Sequence, residues 1–178
     1  MKIFQAMKRL LAITIILLSI ASCTFINVSR TLNDVESYIM ERPDSALAVL
    51  ESIDRVDLNT ARTKAHHALL HAMALDKNFI DVSDDSIAQV AVDYFSKHGP
   101  QKYHARSLYY LGLAYYYQKD YNKAIIEFTR AEEVAEGCDS LYLSLILTSE
   151  ADAYSRNFSH VEELNSLRRA YMIDQNLN

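Results

Sequence analysis

The sequence has little of what builds β-structure. Among 178 residues there are 3 glycines and 2 prolines, too few for the many tight turns of a sandwich or barrel. Tryptophan is absent, and Cys23 and Cys138 are the two cysteines, too few for a disulfide framework. No glycine-rich phosphate loop, H-E-x-x-H pair or G-x-S-x-G elbow occurs. The local signatures of nucleotide binding, zinc proteolysis and serine hydrolysis are therefore missing. Positive charge is also short, with 18 Lys and Arg against 23 Asp and Glu. That argues against a nucleic-acid partner, since phosphate binding needs a basic face.

What is present is helical in character. Half the residues are hydrophobic, enough for one sizeable core or a short repeat array. Ala, Leu, Glu, Lys and Arg dominate the periodic stretches, which favours an all-α fold. Apolar spacing and stop signals predict helices over 32–42, 43–53, 60–77, 86–98, 102–118, 121–136, 140–154 and 160–175. Pro43 suits a helix start, and Gly99–Pro100 and Gly137 suit helix ends. All connections are short, so neighbouring helices are expected to run antiparallel.

The first 22 residues differ from the rest. Lys2, Lys8 and Arg9 give a basic start, and "LLAITIILLSI" (10–20) is an apolar run too short to span a bilayer comfortably. "SIASC" (19–23) resembles a bacterial lipobox, with Ile20, two small residues and then the cysteine. The resemblance implies a lipoprotein signal peptide over 1–22, cut before Cys23, and acyl chains on Cys23 that anchor the protein. Each buried methylene contributes about 0.8 kcal/mol, so two or three chains hold a domain for long times. The alternatives are an ordinary secretory cut near Ala21 and an uncleaved anchor. Loss of 1–22 removes three basic residues and takes the net charge from −5 to −8. Thr24 follows the cysteine, and no Asp stands there; by the same resemblance this implies the outer membrane, facing the periplasm. Residues 23–31 then form the lipidated cysteine and a short tether, and 32–178 the helical domain. With Cys23 acylated, Cys138 has no intrachain partner and is expected to be a buried, inert thiol.

"SLYYLGLAYYYQKDYNKAIIEF" (107–128) holds six of the 12 tyrosines and a glycine in mid-helix. Counted from Ala105 as position 1, Leu108, Leu111, Gly112, Tyr115, Ala124, Phe128 and Ala131 fall at positions 4, 7, 8, 11, 20, 24 and 27. This resembles the tetratricopeptide repeat (TPR), a 34-residue helix–turn–helix unit. Leu stands where Trp is usual at position 4, and Glu136 where Pro is usual at position 32. A second copy begins near Ser144, with Leu147, Ala151, Tyr154, Leu167 and Ala170 in place. It carries Glu150 and Glu163 at packing positions and is displaced by 39 residues. Residues 32–98 supply two further helix pairs with looser detail. The resemblance implies a right-handed α-solenoid of antiparallel helix pairs and the class of bacterial TPR lipoproteins.

In that frame the inner helix shows Arg106, Tyr109, Leu113, Tyr116 and Tyr117 to a concave groove, where an unidentified protein or peptide partner is expected to bind. Tyr115 belongs to the packing face. Three other clusters are weaker. His66, His67 and His71 sit on the third helix, with His67 and His71 at i, i+4, but no third ligand accompanies them. "DVSDDS" (81–86) lacks the glycine and the closing Glu of a calcium loop; Asp84 or Asp85 as a helix cap explains it better. Glu132, Glu133 and Glu136 read as a solvated helix end. No catalytic residue, cofactor or metal is expected. The function implied is a membrane-anchored interaction scaffold of the cell envelope. The alternatives are the sensory domain of a longer signalling protein and a subunit of an outer-membrane assembly complex.

Overall fold

The structure, a computed structural model, describes residues 28–177. The expected signal peptide and Cys23 lie outside the described residues. Among these, eight helices follow one another without a strand: α1 (Val28–Tyr38), α2 (Pro43–Glu51), α3 (Ala61–Lys77), α4 (Asp85–Phe95), α5 (Gln101–Tyr117), α6 (Tyr121–Ala135), α7 (Ser140–Arg156) and α8 (His160–Leu177). The eight expected helices are all present, with ends shifted by a few residues. α1 begins inside the stretch expected to be tether: residues 28–31 are helical and Val28 is buried.

Local chemistry sets the helix starts. Pro43 occupies the first turn of α2. Thr60 and Thr63 form a reciprocal cap on α3, with Thr63 N donating to Thr60 Oγ1 at 3.0 Å and Thr60 N to Thr63 Oγ1 at 3.2 Å. Asp84, Asp120 and Asp139 cap α4, α6 and α7 by accepting from the backbone of Ser86, Lys123 and Tyr142. Such caps typically contribute about 1 kcal/mol each. Asp84 is therefore a helix cap, as "DVSDDS" suggested.

Each helix packs on the next, and α1, α3, α5 and α7 also touch in series. The chain is thus a stack of four antiparallel pairs, α1/α2, α3/α4, α5/α6 and α7/α8, with the odd-numbered helices along one side. Such arrays are stabilised by repeat and nearest-neighbour terms. The tightest joint lies between α5 and α6. Leu108, Leu111, Ala124, Phe128 and Ala131 are all buried. A Cβ built on Gly112 would meet Phe128 Cδ1 and Cε1 at 2.6 Å. The glycine exists so that the ring of Phe128 can lie against the α5 backbone.

The 39-residue displacement has a plain cause. α5 and α7 are both 17 residues long, and each starts four residues before position 1 of the repeat frame, at Gln101 and Ser140. That extra helical turn lengthens the unit beyond 34 residues. Glu150, out of place at a packing position, is 3% exposed yet satisfied. It accepts from Thr129 Oγ1 at 2.7 Å and from Ser166 Oγ at 2.9 Å, so it bridges α6, α7 and α8. Burial pushes its carboxyl above the ordinary value, and the two hydroxyl bonds oppose this only in part. An acid with a raised folded pKa binds its proton more tightly when folded. Its stabilising share is present below the unfolded value and is lost as pH rises through the folded one. Glu150→Gln keeps both hydroxyl partners, and should melt higher than the parent at pH 7.5. The gap should close as pH falls toward 4, checked by thermal melts across that range.

Three of the four turns between the helices of a pair share one backbone device. Phe79 (φ 58°), Lys119 (φ 65°) and Phe158 (φ 60°) each adopt the left-handed conformation. There Ile80 N bonds Leu75 O, Asp120 N bonds Tyr115 O, and Ser159 N bonds Tyr154 O, each within 3.0 Å. The geometry suits Gly or Asn and costs a bulky residue about 1–2 kcal/mol.

Candidate interaction face

The five expected groove residues of α5 do not share one environment. Tyr109 is 5% exposed and belongs to the core, a correction to its expected place in the groove. Its ring packs edge-on against Tyr110 and Tyr142 at 5.0 and 5.8 Å, and lies 5.9 Å from Phe128. Burial drives its phenol well above the ordinary value. The reason is the neighbouring repeat: α7 lies over the first half of α5, and Tyr142 reaches the space where a peptide would sit.

Arg106 is committed as well. Its Nε donates to Asp139 Oδ2 at 2.8 Å, the second contact being 2.7 Å, and its guanidinium sits 4.4 Å from the centre of the Tyr142 ring. Both nitrogens converge on one oxygen of a largely buried carboxylate, a charge-assisted pair whose other oxygen accepts from Tyr142 N. Asp139 is also the cap of α7, so Arg106 ties α5 to the start of the next pair.

Leu113, Tyr116 and Tyr117 remain half-buried. They occupy the last turns of α5, between α7 on one side and the turn from α3 to α4 on the other. Tyr116 donates to Asp152 of α7, and its ring lies 5.9 Å from Tyr117 and 5.5 Å from Tyr121. Leu113 and Tyr117 line a cleft with Asp76, Ile80, Val82 and Ile87. Burial first, then Asp76 and Asp81, raise the Tyr117 phenol; burial and the bond to Asp152 raise that of Tyr116. The phenols stay protonated at neutral pH and present O–H tips beside three carboxylates.

Tyr115 was expected on the packing face. It is half-buried, with Lys123 Nζ 5.1 Å from its ring centre. The ring packs against the edge of the core, on the face where it was expected.

Polar links invisible in the linear sequence join the pairs at the other end of the stack. Tyr103 OH donates to Glu36 Oε2 at 2.6 Å, and His66 Nε2 lies 3.1 Å from the same oxygen. Burial and Glu36 push the Tyr103 phenol up to about 12. The His66 bond, opposed by burial, holds the Glu36 carboxyl below its usual range. The only signal for such links is separation by roughly one or two repeats: 30 residues for Glu36 and His66, 67 for Glu36 and Tyr103, 33 for Arg106 and Asp139, and 36 for Tyr116 and Asp152.

The other clusters resolve individually. His67 Nε2 donates to Leu50 O at 2.9 Å and its ring lies 5.6 Å from that of His71. Among the described residues no group of three or more His, Cys, Asp or Glu is placed to hold a metal ion. Glu132 pairs with Arg169 of α8, so it is a structural link and not merely a solvated end. Cys138 is exposed, which corrects the expected burial; it sits in the turn after α6 and its Sγ donates to Val134 O at 3.2 Å. Partial burial and Asp139 raise its pKa, so exposure does not make it reactive.

Residues 105–138 match the tetratricopeptide repeat family. The match opens on Ala105 and covers the α5/α6 joint built around Gly112. No curated protein and no solved structure matches the chain. The match covers one repeat, and the stack of helix pairs around it is consistent with a TPR-like solenoid; such repeats are typically non-catalytic modules for protein–protein interaction. No helix of the described residues is long and apolar enough to cross a membrane.

Proposed function

We propose that this chain is a membrane-anchored scaffold of the cell envelope that holds a protein partner against Leu113, Tyr116 and Tyr117. The half-open aromatic cluster at the end of α5 supports this reading. Phenol rings give large contact area and a polar tip for little entropy. Asp76, Asp81 and Asp152 around them favour a segment that carries amide or basic donors among apolar side chains. The lipobox-like "SIASC" supports the anchor and, with Thr24 after Cys23, an outer-membrane site facing the periplasm. Cys23→Ala is expected to give an uncleaved precursor that takes up no labelled fatty acid; normal labelling of that variant sinks the anchor. For the partner, a photo-crosslinking residue at Tyr117 in intact cells should capture a protein that the same residue at Val56, across the domain, does not. Equal capture at both positions sinks the face.

A second reading, a subunit whose last helix packs on a further helix, has its own support. α8 leaves Val161, Leu164, Tyr171 and Met172 well exposed. Leu164 and Leu167 have counterparts 39 residues earlier in Ile125, packed on the core, and Phe128, fully buried. The α8 face thus repeats the pattern that α6 turns toward the body of the stack.

A further inference from the structure

The turns that close each helix pair (α1 to α2, α3 to α4, α5 to α6 and α7 to α8) lie along one edge of the stack, because their helices run antiparallel and the odd helices touch in series. Each tip is exposed. In order they carry Met40, then Phe79 with Ile80, then Lys119, then Phe158. Phe79 is 96% and Phe158 85% exposed. Both rings stand on left-handed backbone that Gly or Asn would adopt more readily. Neither ring stabilises the fold, so strain at these positions points to a role for the ring.

The row is also held in place. Gln118 donates to Ser83 O at 2.7 Å, and Asn157 donates to Asn122 at 3.2 Å. The second, third and fourth turns are therefore linked across the pairs. Behind them stand Tyr38 and Tyr121, with Arg42, Lys77, Lys119 and Arg156 close by in sequence, while Tyr116 and Tyr117 belong to the partner face. Glu41, Asp76, Asp81, Asp84, Asp85, Asp120 and Asp152 outnumber those four charges and Lys123, so the edge is net acidic. Apolar tips flanked by phenols form a pattern that settles at a lipid–water boundary, and the net acidic edge favours zwitterionic over anionic headgroups.

We propose that this edge rests on a lipid bilayer, with Phe79 and Phe158 inserted at the boundary between headgroups and acyl chains. The shape selects this occupant. Separate convex tips, one repeat apart, form no groove for a peptide, whereas a bilayer needs no matching pockets. The length of the chain before α1 agrees. The odd helices begin at the opposite edge, so Val28 lies one α1 length, about 16 Å, from the row. The five-residue step from Cys23 to Val28 spans at most about 17 Å. A lipid on Cys23 thus reaches the bilayer under the row only with that step fully extended back along α1. The proposal rests on the membrane-anchored reading for what brings the chain to the surface, and adds which edge faces it.

The chain has no tryptophan, so a single introduced indole is an unambiguous reporter. The full-length chain carrying Phe79→Trp, Phe158→Trp or Val56→Trp is mixed with vesicles of phosphatidylcholine, with and without bromine on the acyl chains. Val56 is 87% exposed in the turn between α2 and α3, at the opposite edge. At positions 79 and 158 emission should shift to the blue and lose about half its intensity on brominated lipid, as expected at the acyl boundary. At position 56 it should stay water-like. Water-like, unquenched emission at 79 and 158 overturns the proposal, whether or not the chain is on the vesicles, as does equal quenching at 56. Fatty-acid labelling of the same preparations reports Cys23 separately. Acylated chains with unquenched indoles refute the edge and keep the anchor; quenched indoles on unacylated chains do the reverse.

Discussion

Gly112→Leu is expected to abolish the cooperative unfolding transition of the domain, or to lower its midpoint so far that native protein is hard to recover. A Cβ at this position would lie 2.6 Å from two ring atoms of Phe128, nearer than non-bonded carbons approach. The ring cannot yield. Phe128 is fully buried, with Leu108, Leu111, Ala124 and Ala131 also buried and Tyr109 against it. Overpacking a core by a methylene or two typically costs 1–3 kcal/mol. Leucine adds four carbons at a site with no room for the first, so the cost should exceed about 3 kcal/mol. Against total stabilities of about 5–15 kcal/mol that is a large share. Gly112→Ala separates clash from propensity. Alanine favours a helix over glycine by about 1 kcal/mol, so a destabilised alanine variant means that steric conflict outweighs the helical gain. Phe128→Leu in the alanine background should recover part of the loss by removing the ring the Cβ strikes. Circular dichroism melts of the four proteins measure this. An unchanged melting temperature for Gly112→Leu would mean that α5 and α6 do not meet closely at this residue.

Much of the fold was legible because local and long-range signals agree. Apolar residues at helical spacing, a Pro at a first turn, Asp and Thr before periodic runs, and Gly at positive φ after them mark the helices without reference to neighbours. The α5/α6 joint was legible for a further reason. A glycine that weakens its helix must serve packing, and its partner Phe128 lies sixteen residues on, within one helix hairpin. Contacts between repeats were not legible in this way. Glu150 looked like decay of the repeat, because nothing in its own helix shows that Thr129 and Ser166 stand ready to bond it. Tyr109 and Arg106 looked free because the repeat frame describes one pair of helices, while Tyr142 and Asp139 arrive from the next. A residue on the inner face of a pair is open only until the following pair is laid on. Cys138 failed for a smaller reason: two residues separate it from the end of α6, and the chain has already turned outward.

That correction sharpens the test of binding against folding. Tyr109→Ala removes a ring packed on Tyr110, Phe128 and Tyr142. Deleting a buried aromatic costs about 3–5 kcal/mol, so this variant should lose most of its stability whatever it binds. Tyr116→Ala with Tyr117→Ala removes two half-open rings and the bond from Tyr116 to Asp152. Asp152 is itself exposed, so water replaces that bond, and the double variant should melt within a few degrees of the parent. Its affinity for the captured partner should fall by about 2 kcal/mol or more, a 30-fold rise in Kd, since interface aromatics carry contributions of that size. Tyr115→Ala should fall between, because its half-buried ring covers the joint near Lys123 without filling it. Thermal melts beside titration of the partner separate these outcomes. If the double variant melts as low as Tyr109→Ala, the end of α5 is core and the interaction face lies elsewhere. If it melts like the parent and binds like the parent, the phenols are surface without a partner. Only stable folding with weakened binding puts recognition at Tyr116 and Tyr117.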